Sequence, residues 1–277
     1  MKKRLFIIGV VLSLVVIAFA VIRYYPIAQL MLTKDEQDPF VVSNVNILSK
    51  LQKDASNKDS LHYLVLGDSV ARGVGSNQSA PHGYSSLVVK GLGDAERIPL
   101  QLNNQGVSGQ TSQRLLSSLQ RSDLQQQIAD ADLISLTIGG NDVLKKALQK
   151  NNPVSVLSDF PAIQEEYYRN LNNILKEIRG LNPDAPILLT SLYNPISPDE
   201  SYYGLSVKLL QQWNRGMKKI AYQYGLTHVV DVDDRLRTAH NSWLSDEIHP
   251  NEKGYRLIAD GILEEIRNQP RSSADNR

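Results

Sequence analysis

Ser69, Asp246 and His249 are the residues of this chain whose types and spacing suit nucleophilic chemistry. Ser69 stands in LHYLVLGDSVARGVGS, residues 61–76, just after an apolar run that breaks at Gly67 and Asp68. A serine hydroxyl is a weak nucleophile until a neighbouring base takes its proton. The stretch LSDEIHPNEKG, residues 244–254, offers such a base. Asp246 and His249 are three residues apart, a spacing that puts both side chains on one face of a helical turn. A carboxylate placed there accepts the imidazole N–H at Nδ1, fixes the tautomer and leaves Nε2 free as a base.

Each stretch also has a plain structural reading. Gly67 permits a positive φ or close backbone packing at a strand end, and Asp68 or Ser69 can cap the following turn. The serine is not in a G-x-S-x-G elbow, because no second glycine follows it at the required place. Asp246 can likewise cap a surface turn and leave His249 idle. A metal reading of the same pair lacks an obvious third ligand. Pro250 keeps the turn from continuing into the next helix, and Asn251 is suited to cap that helix.

Two more stretches supply what an attacking serine needs. Attack on an ester carbonyl creates an oxyanion, which requires fixed donors about 3 Å away. NNQGVSGQT, residues 103–111, offers the Gly106 N–H, and LTIGGNDVL, residues 136–144, offers the Asn141 side-chain amide. With the Ser69 N–H these make three donors of suitable type. A turn glycine and an N-cap asparagine remain the alternative readings of Gly106 and Asn141.

The elements that must position these residues follow from the apolar pattern. Strand-like runs fall at 61–66, 132–138, 186–192 and 227–232, with a weaker one at 98–103. Helical periodicity fits 84–92, 111–121, 141–150, 160–180, 205–224 and 252–268. In 205–224, Leu205, Leu209, Leu210, Trp213, Met217, Ile220 and Tyr224 recur at the spacing of one apolar face. Strands alternating with helices of this length imply right-handed crossovers and a parallel sheet covered on both faces. Ligands of such sheets bind beyond the carboxyl ends of the strands, where Ser69 falls.

Composition narrows the function. The chain of 277 residues has a formal net charge of +1, which points away from nucleic acid as a partner, and it has no cysteine. That excludes disulfides, thiolate metal sites and a cysteine nucleophile. At the amino terminus Lys2, Lys3 and Arg4 precede eighteen uncharged residues, Leu5 to Ile22, and then Arg23, Tyr24 and Tyr25. Residues 1–32 read as an uncleaved transmembrane anchor that leaves the rest of the chain outside the cytoplasm. The alternative is a signal segment cleaved near Ala20. A polar connector, 33–60, follows, in which Val45, Leu48 and Leu51 make one stripe of a short helix. The main domain is then 61–269, and 270–277 is a polar, disordered tail.

Ser69 in GDS, Gly106 in NQGVSG, Asn141 in GGND and His249 in DEIHP match, in order, the four blocks of the SGNH (GDSL) hydrolase family. The chain resembles that family over about residues 61–268, with valine in place of leucine after GDS. The resemblance implies a three-layer α/β/α, flavodoxin-like fold with a five-stranded parallel sheet. It also implies an esterase or lipase with Ser69 as nucleophile, His249 as base and Asp246 orienting it. Ser69, Gly106 and Asn141 would form the oxyanion hole, with no metal or organic cofactor. The expected substrate is a small-molecule or lipid acyl ester, met at a membrane that the amino-terminal segment holds close. An O-acetyl esterase acting on cell-wall polysaccharide or peptidoglycan is the alternative, and a non-catalytic surface binding module the third class. The loop 74–83 and the segment 151–162 are expected to wall the acyl pocket. The pattern assigns no oligomeric state.

Overall fold

A computed structural model describes Tyr25 and residues 45–77, 82–144, 153–238 and 242–268, with 153–158 described in their backbone only. Five strands, β1 (Leu61–Gly67), β2 (Leu100–Gly106), β3 (Leu133–Thr137), β4 (Ile187–Thr190) and β5 (Thr227–Val230), pair in parallel in the order β2-β1-β3-β4-β5. The direction of winding reverses at β1, since β2 lies on one side of it and β3 on the other. That reversal opens a crevice at the carboxyl ends of β1 and β3.

Strand alternation sends side chains to two separate cores. Leu64, Leu66, Ile134, Leu136, Ile187 and Leu189 face one core. It is covered by α4 (Ser112–Ser118), α5 (Ser122–Ala129), α6 (Pro153–Leu181) and α7 (Tyr203–Ala221). Tyr63, Val65, Leu133 and Leu188 face the other, under α1 (Ile47–Ala55), α3 (Gly83–Glu96), α8 (Val232–Arg237) and α9 (Glu252–Arg267). The short α2 (Ser69–Arg72) begins at the nucleophile candidate itself. This is the expected three-layer α/β/α architecture.

Several boundaries differ from the sequence reading, each for a physical reason. β2 begins and ends later than expected and has Gly106 as its last residue. Its sequence, LQLNNQG, carries little apolar signal because β2 is an edge strand with only β1 as neighbour. Residues 227–232 split into β5 and α8, because Asp231 caps α8 through its side chain. Helix α5 is supported by just Leu124 and Ile128, too short a stripe to read from periodicity. The expected wall at 151–162 is helical from Pro153 onward, as the first turns of α6.

The last part of the connector is folded onto the domain. Asn46 caps α1 by accepting the Ser49 N–H at 2.7 Å. The buried pair is Ile47 and Leu51; Val45 is exposed and Leu48 only partly covered. The true face therefore runs i, i+4 from Ile47. Among the described residues no helix is long and apolar enough to cross a membrane. The expected anchor (apart from Tyr25), residues 26–44, residues 78–81 of the expected wall at 74–83, the helix end at 145–150 and the tail from 269 lie outside the described residues.

Since Leu51 is fully buried, Leu51→Ala should lower the unfolding free energy by roughly 2–5 kcal/mol. Urea unfolding of the variant checks this; a loss below about 0.5 kcal/mol would separate α1 from the domain.

Candidate active site

The strand register brings three loops to one point. Gly67 pairs with Gly106 on one side and with Thr137 on the other, so β1, β2 and β3 end level with one another. The chain turns sharply after Gly67, whose φ is +132°. Asp68 then caps α2, its Oδ1 accepting the Val70 N–H at 3.0 Å and the Thr137 hydroxyl at 3.0 Å. The structural reading of Asp68 as a cap is therefore correct, and it lifts Ser69 to the start of the helix. Ser69 is buried, with 8 % of its surface exposed.

His249 reaches Ser69 from 180 residues away in sequence. Its Nε2 lies 3.0 Å from Ser69 Oγ, and its Nδ1 lies 2.7 Å from Asp246 Oδ2. The local geometry is not the helical turn that the spacing suggested. Residues 244–250 form a tight loop closed by a bridge between Leu244 and Pro250. Asp246 Oδ1 accepts the backbone N–H groups of Ile248 at 2.8 Å and His249 at 2.7 Å. One carboxylate thus folds the loop with one oxygen and orients the imidazole with the other. Burial alone would push its acid form upward, but the bonds from the His249 ring and the two amides prevail and hold it at about 2. Asn251 caps α9 as expected, accepting from Lys253 and Gly254.

The histidine loop is braced by residues that the sequence did not single out. Tyr193, in the loop after β4, donates its hydroxyl to Ile248 O at 2.7 Å and packs edge-on against Trp243. Tyr255 donates to Val74 O at 2.6 Å, tying α9 to the loop after α2. Gly75 lies so close that a Cβ there would meet Ser245 Oγ at 2.2 Å and Pro250 O at 2.5 Å. His82 sits at the same loop, its Nδ1 2.9 Å from Ser76 Oγ. No sequence spacing links these groups.

Gly106 stands at the end of β2 and Asn141 in the helical turn after β3, and each already has a partner. A Cβ on Gly106 would stand 2.4 Å from Arg72 N, so β2 must end in glycine to pack against α2. Its N–H donates to Asn104 Oδ1 at 2.9 Å, so an oxyanion at this point shares or displaces that acceptor. Asn104 in turn donates to Ala71 O at 2.7 Å. Asn141 spends one amide N–H on Gln110 O at 3.0 Å, which leaves the second for another acceptor. Among the described residues no group of three or more His, Cys, Asp or Glu side chains suits a metal.

A hydroxyl, an imidazole and a carboxylate joined by these two contacts can activate the hydroxyl for attack on an acyl group. The family model of the GDSL-like lipase/acylhydrolase family matches residues 65–257. The chain belongs to this family. Two curated relatives are from Bacillus. YpmR of Bacillus subtilis is 29% identical over 224 residues, covering 79% of this chain and 87% of that protein. The spore germination lipase LipC of Bacillus licheniformis is 25% identical over 207 residues, covering 73% and 95%. Among solved structures, the lipase Lip_vut3 from a goat rumen metagenome has a TM-score of 0.63 at 23% identity, covering 76% of this chain and 100% of that one. The acetylxylan esterase Axe2 of Geobacillus stearothermophilus has a TM-score of 0.58 at 21% identity, covering 77% and 97%. The structural likenesses establish the shared GDSL-type fold.

Asp68, beneath the nucleophile, supplies a pH test of this site. Burial lifts its carboxyl to about 6, against the bonds from Val70 and Thr137 that favour the anion. Between about pH 4 and 6 the unfolded chain releases a proton that the folded chain keeps. Stability from this group is thus full below pH 4 and is lost as the pH rises through 6, by on the order of 2–3 kcal/mol. Asp142 and Asp233, also raised by burial, slope the same way. The comparison with Asp68→Asn isolates Asp68, because asparagine keeps the accepting oxygen. Urea unfolding at pH 4, 5, 6 and 7 should show a shallower fall in the variant; parallel curves would place the titration elsewhere.

Proposed function

We propose that this chain is a serine carboxylester hydrolase that works through an acyl-enzyme. The observation that carries the reading is the single line of contacts from Ser69 Oγ to His249 Nε2 at 3.0 Å and from His249 Nδ1 to Asp246 Oδ2 at 2.7 Å. His249 takes the Ser69 proton as Oγ bonds to the ester carbonyl carbon. The carbonyl oxygen becomes an oxyanion held by the N–H of Ser69, the amide of Asn141 and, once it turns from Asn104, the N–H of Gly106. The C–O bond to the alcohol then breaks, and the alcohol leaves with the proton from His249. Water repeats the sequence on the acyl-enzyme, releases the acid and restores Ser69.

The substrate we propose is an acyl ester of lipid or lysolipid type. The basic cluster Lys2, Lys3 and Arg4 and the apolar run to Ile22 support an anchor with its amino terminus in the cytoplasm and its catalytic domain outside. A short tether keeps the domain near lipid, which raises the local concentration of membrane-derived esters without a dedicated docking surface. The lipase names of LipC and Lip_vut3 accord with this reading.

Ser69→Ala should fold normally and lose on the order of 10⁴–10⁶ in turnover. It should also lose labelling by a fluorophosphonate ester probe; activity above a few per cent in the purified variant removes the nucleophile assignment. A chain-length series of esters should favour longer acyl groups over acetyl. Preference for acetylated glycans would instead establish the O-acetyl esterase. Protease added to intact cells without an outer barrier should remove the domain, and full protection would overturn the placement.

A further inference from the structure

Asn141 is followed by Asp142, a half-buried carboxylate that takes no part in the reaction as described above. It reaches across to the segment after β2. Its carboxylate accepts the Ser112 N–H at 3.0 Å and the Ser112 hydroxyl at 2.5 Å. Ser112 is fully buried, and its Oγ also accepts from Asn170 Nδ2 of α6 at 2.9 Å. The directions are consistent: asparagine donates to the serine oxygen, and the serine hydroxyl donates to the carboxylate. One residue earlier, Asn141 donates to Gln110 O at 3.0 Å.

Two adjacent residues of the helical turn that follows β3 are thus fastened to Gln110 in the β2 loop and to Ser112 at the start of α4, and α6 braces the fastening. The β2 loop begins after Gly106, and Gln110 turns back to donate to Val107 O at 3.0 Å. On its other side the β3 loop is held by Tyr167, whose hydroxyl donates to Ile138 O at 3.2 Å. Gly139 packs so tightly that a Cβ would meet the Tyr167 ring at 2.8 Å. With Gly139 fixed and Asp142 pinned, the Asn141 side chain between them has little freedom.

We infer that Asp142 is a positioning residue: through Ser112 and Asn170 it sets the orientation of the Asn141 amide and the spacing between the Asn141 and Gly106 donors. The inference rests on the reading of Asn141 as an oxyanion donor. Donors displaced by about 1 Å from the place where charge develops lose most of their effect, while ground-state binding changes little. Asp142 therefore acts on kcat rather than KM, and only through Asn141.

The experiment is a double-mutant cycle on the full chain with a soluble ester of a chromogenic alcohol. Asp142→Ala should lower kcat by about 10–100-fold with KM within about two-fold. Asp142→Asn, which can still accept from Ser112, should regain part of that loss. Ser112→Ala, a milder change should Asp142→Ala fail to fold, should lower kcat by about 3–10-fold. In the Asn141→Ala background both Asp142→Ala and Ser112→Ala should cost less than about two-fold further, since the donor they orient is gone. Asn141→Ala alone should lower kcat by about 10²–10³-fold. If it does, and the second substitution costs as much as it does in the native background, the positioning role is overturned while the donor reading stands. An unchanged kcat in Asn141→Ala removes the donor reading and the inference with it.

Discussion

Gly67 has a φ of +132°, and a Cβ there would stand 2.0 Å from Thr137 O. No other residue type fits that close approach without moving β1 away from β3. The strands can therefore run level to their carboxyl ends, and the loop after β1 leaves at the angle that raises Ser69. The same level ending aligns Gly106 across β1 and places the β3 loop beside both. Gly106 repeats the constraint on its own side, where the backbone of α2 takes the space of a side chain. Ser69 and the Gly106 N–H are thus placed by backbone packing at the carboxyl end of the sheet. Main-chain placement of this kind does not depend on side-chain rotamers.

The histidine is held differently. Its loop is short and non-helical, and about half of the Asp246 side chain is exposed. Exposed ion pairs add little to stability, so this pair is better understood through orientation. A carboxylate that accepts three N–H groups from Ile248 and His249 can hold the imidazole in one tautomer and one direction. The hydroxyls of Tyr193 and Tyr255 secure the surrounding loops against one core of the sheet. Both tyrosine hydroxyls donate to backbone carbonyls.

The polar residues between the loops form a second layer of the same design. Asn104 joins β2 to α2, Asp142 and Ser112 join the helical turn after β3 to the start of α4, and Asn214 grips the backbone of Leu192 through both its amide atoms. Each bond satisfies groups that would be costly to bury alone. Together they let irregular loops, whose backbones lack regular partners, keep fixed positions around Ser69.

Much of this was legible in the sequence. Strands buried on both faces announced themselves at 61–66, 132–138 and 186–192, because β1, β3 and β4 are apolar on both sides of the sheet. The four short motifs named Ser69, Gly106, Asn141 and His249, because each carries a residue type that the chemistry or the backbone cannot replace. What the sequence could not carry is contact between distant positions. The polar edge strand β2 took its length from pairing with β1, and α8 took its start from the Asp231 cap. The true face of α1 was decided by the core beneath Ile47 and Leu51. The partnership of Asp246 and His249 was readable from their spacing, but its geometry came from the two amides that Asp246 also accepts. The meeting of His249 with Ser69, the tyrosine braces and the Asp142–Ser112–Asn170 fastening belong to tertiary structure alone. Their members are separated by tens to more than a hundred residues, and a hydrogen bond has no sequence period to betray it.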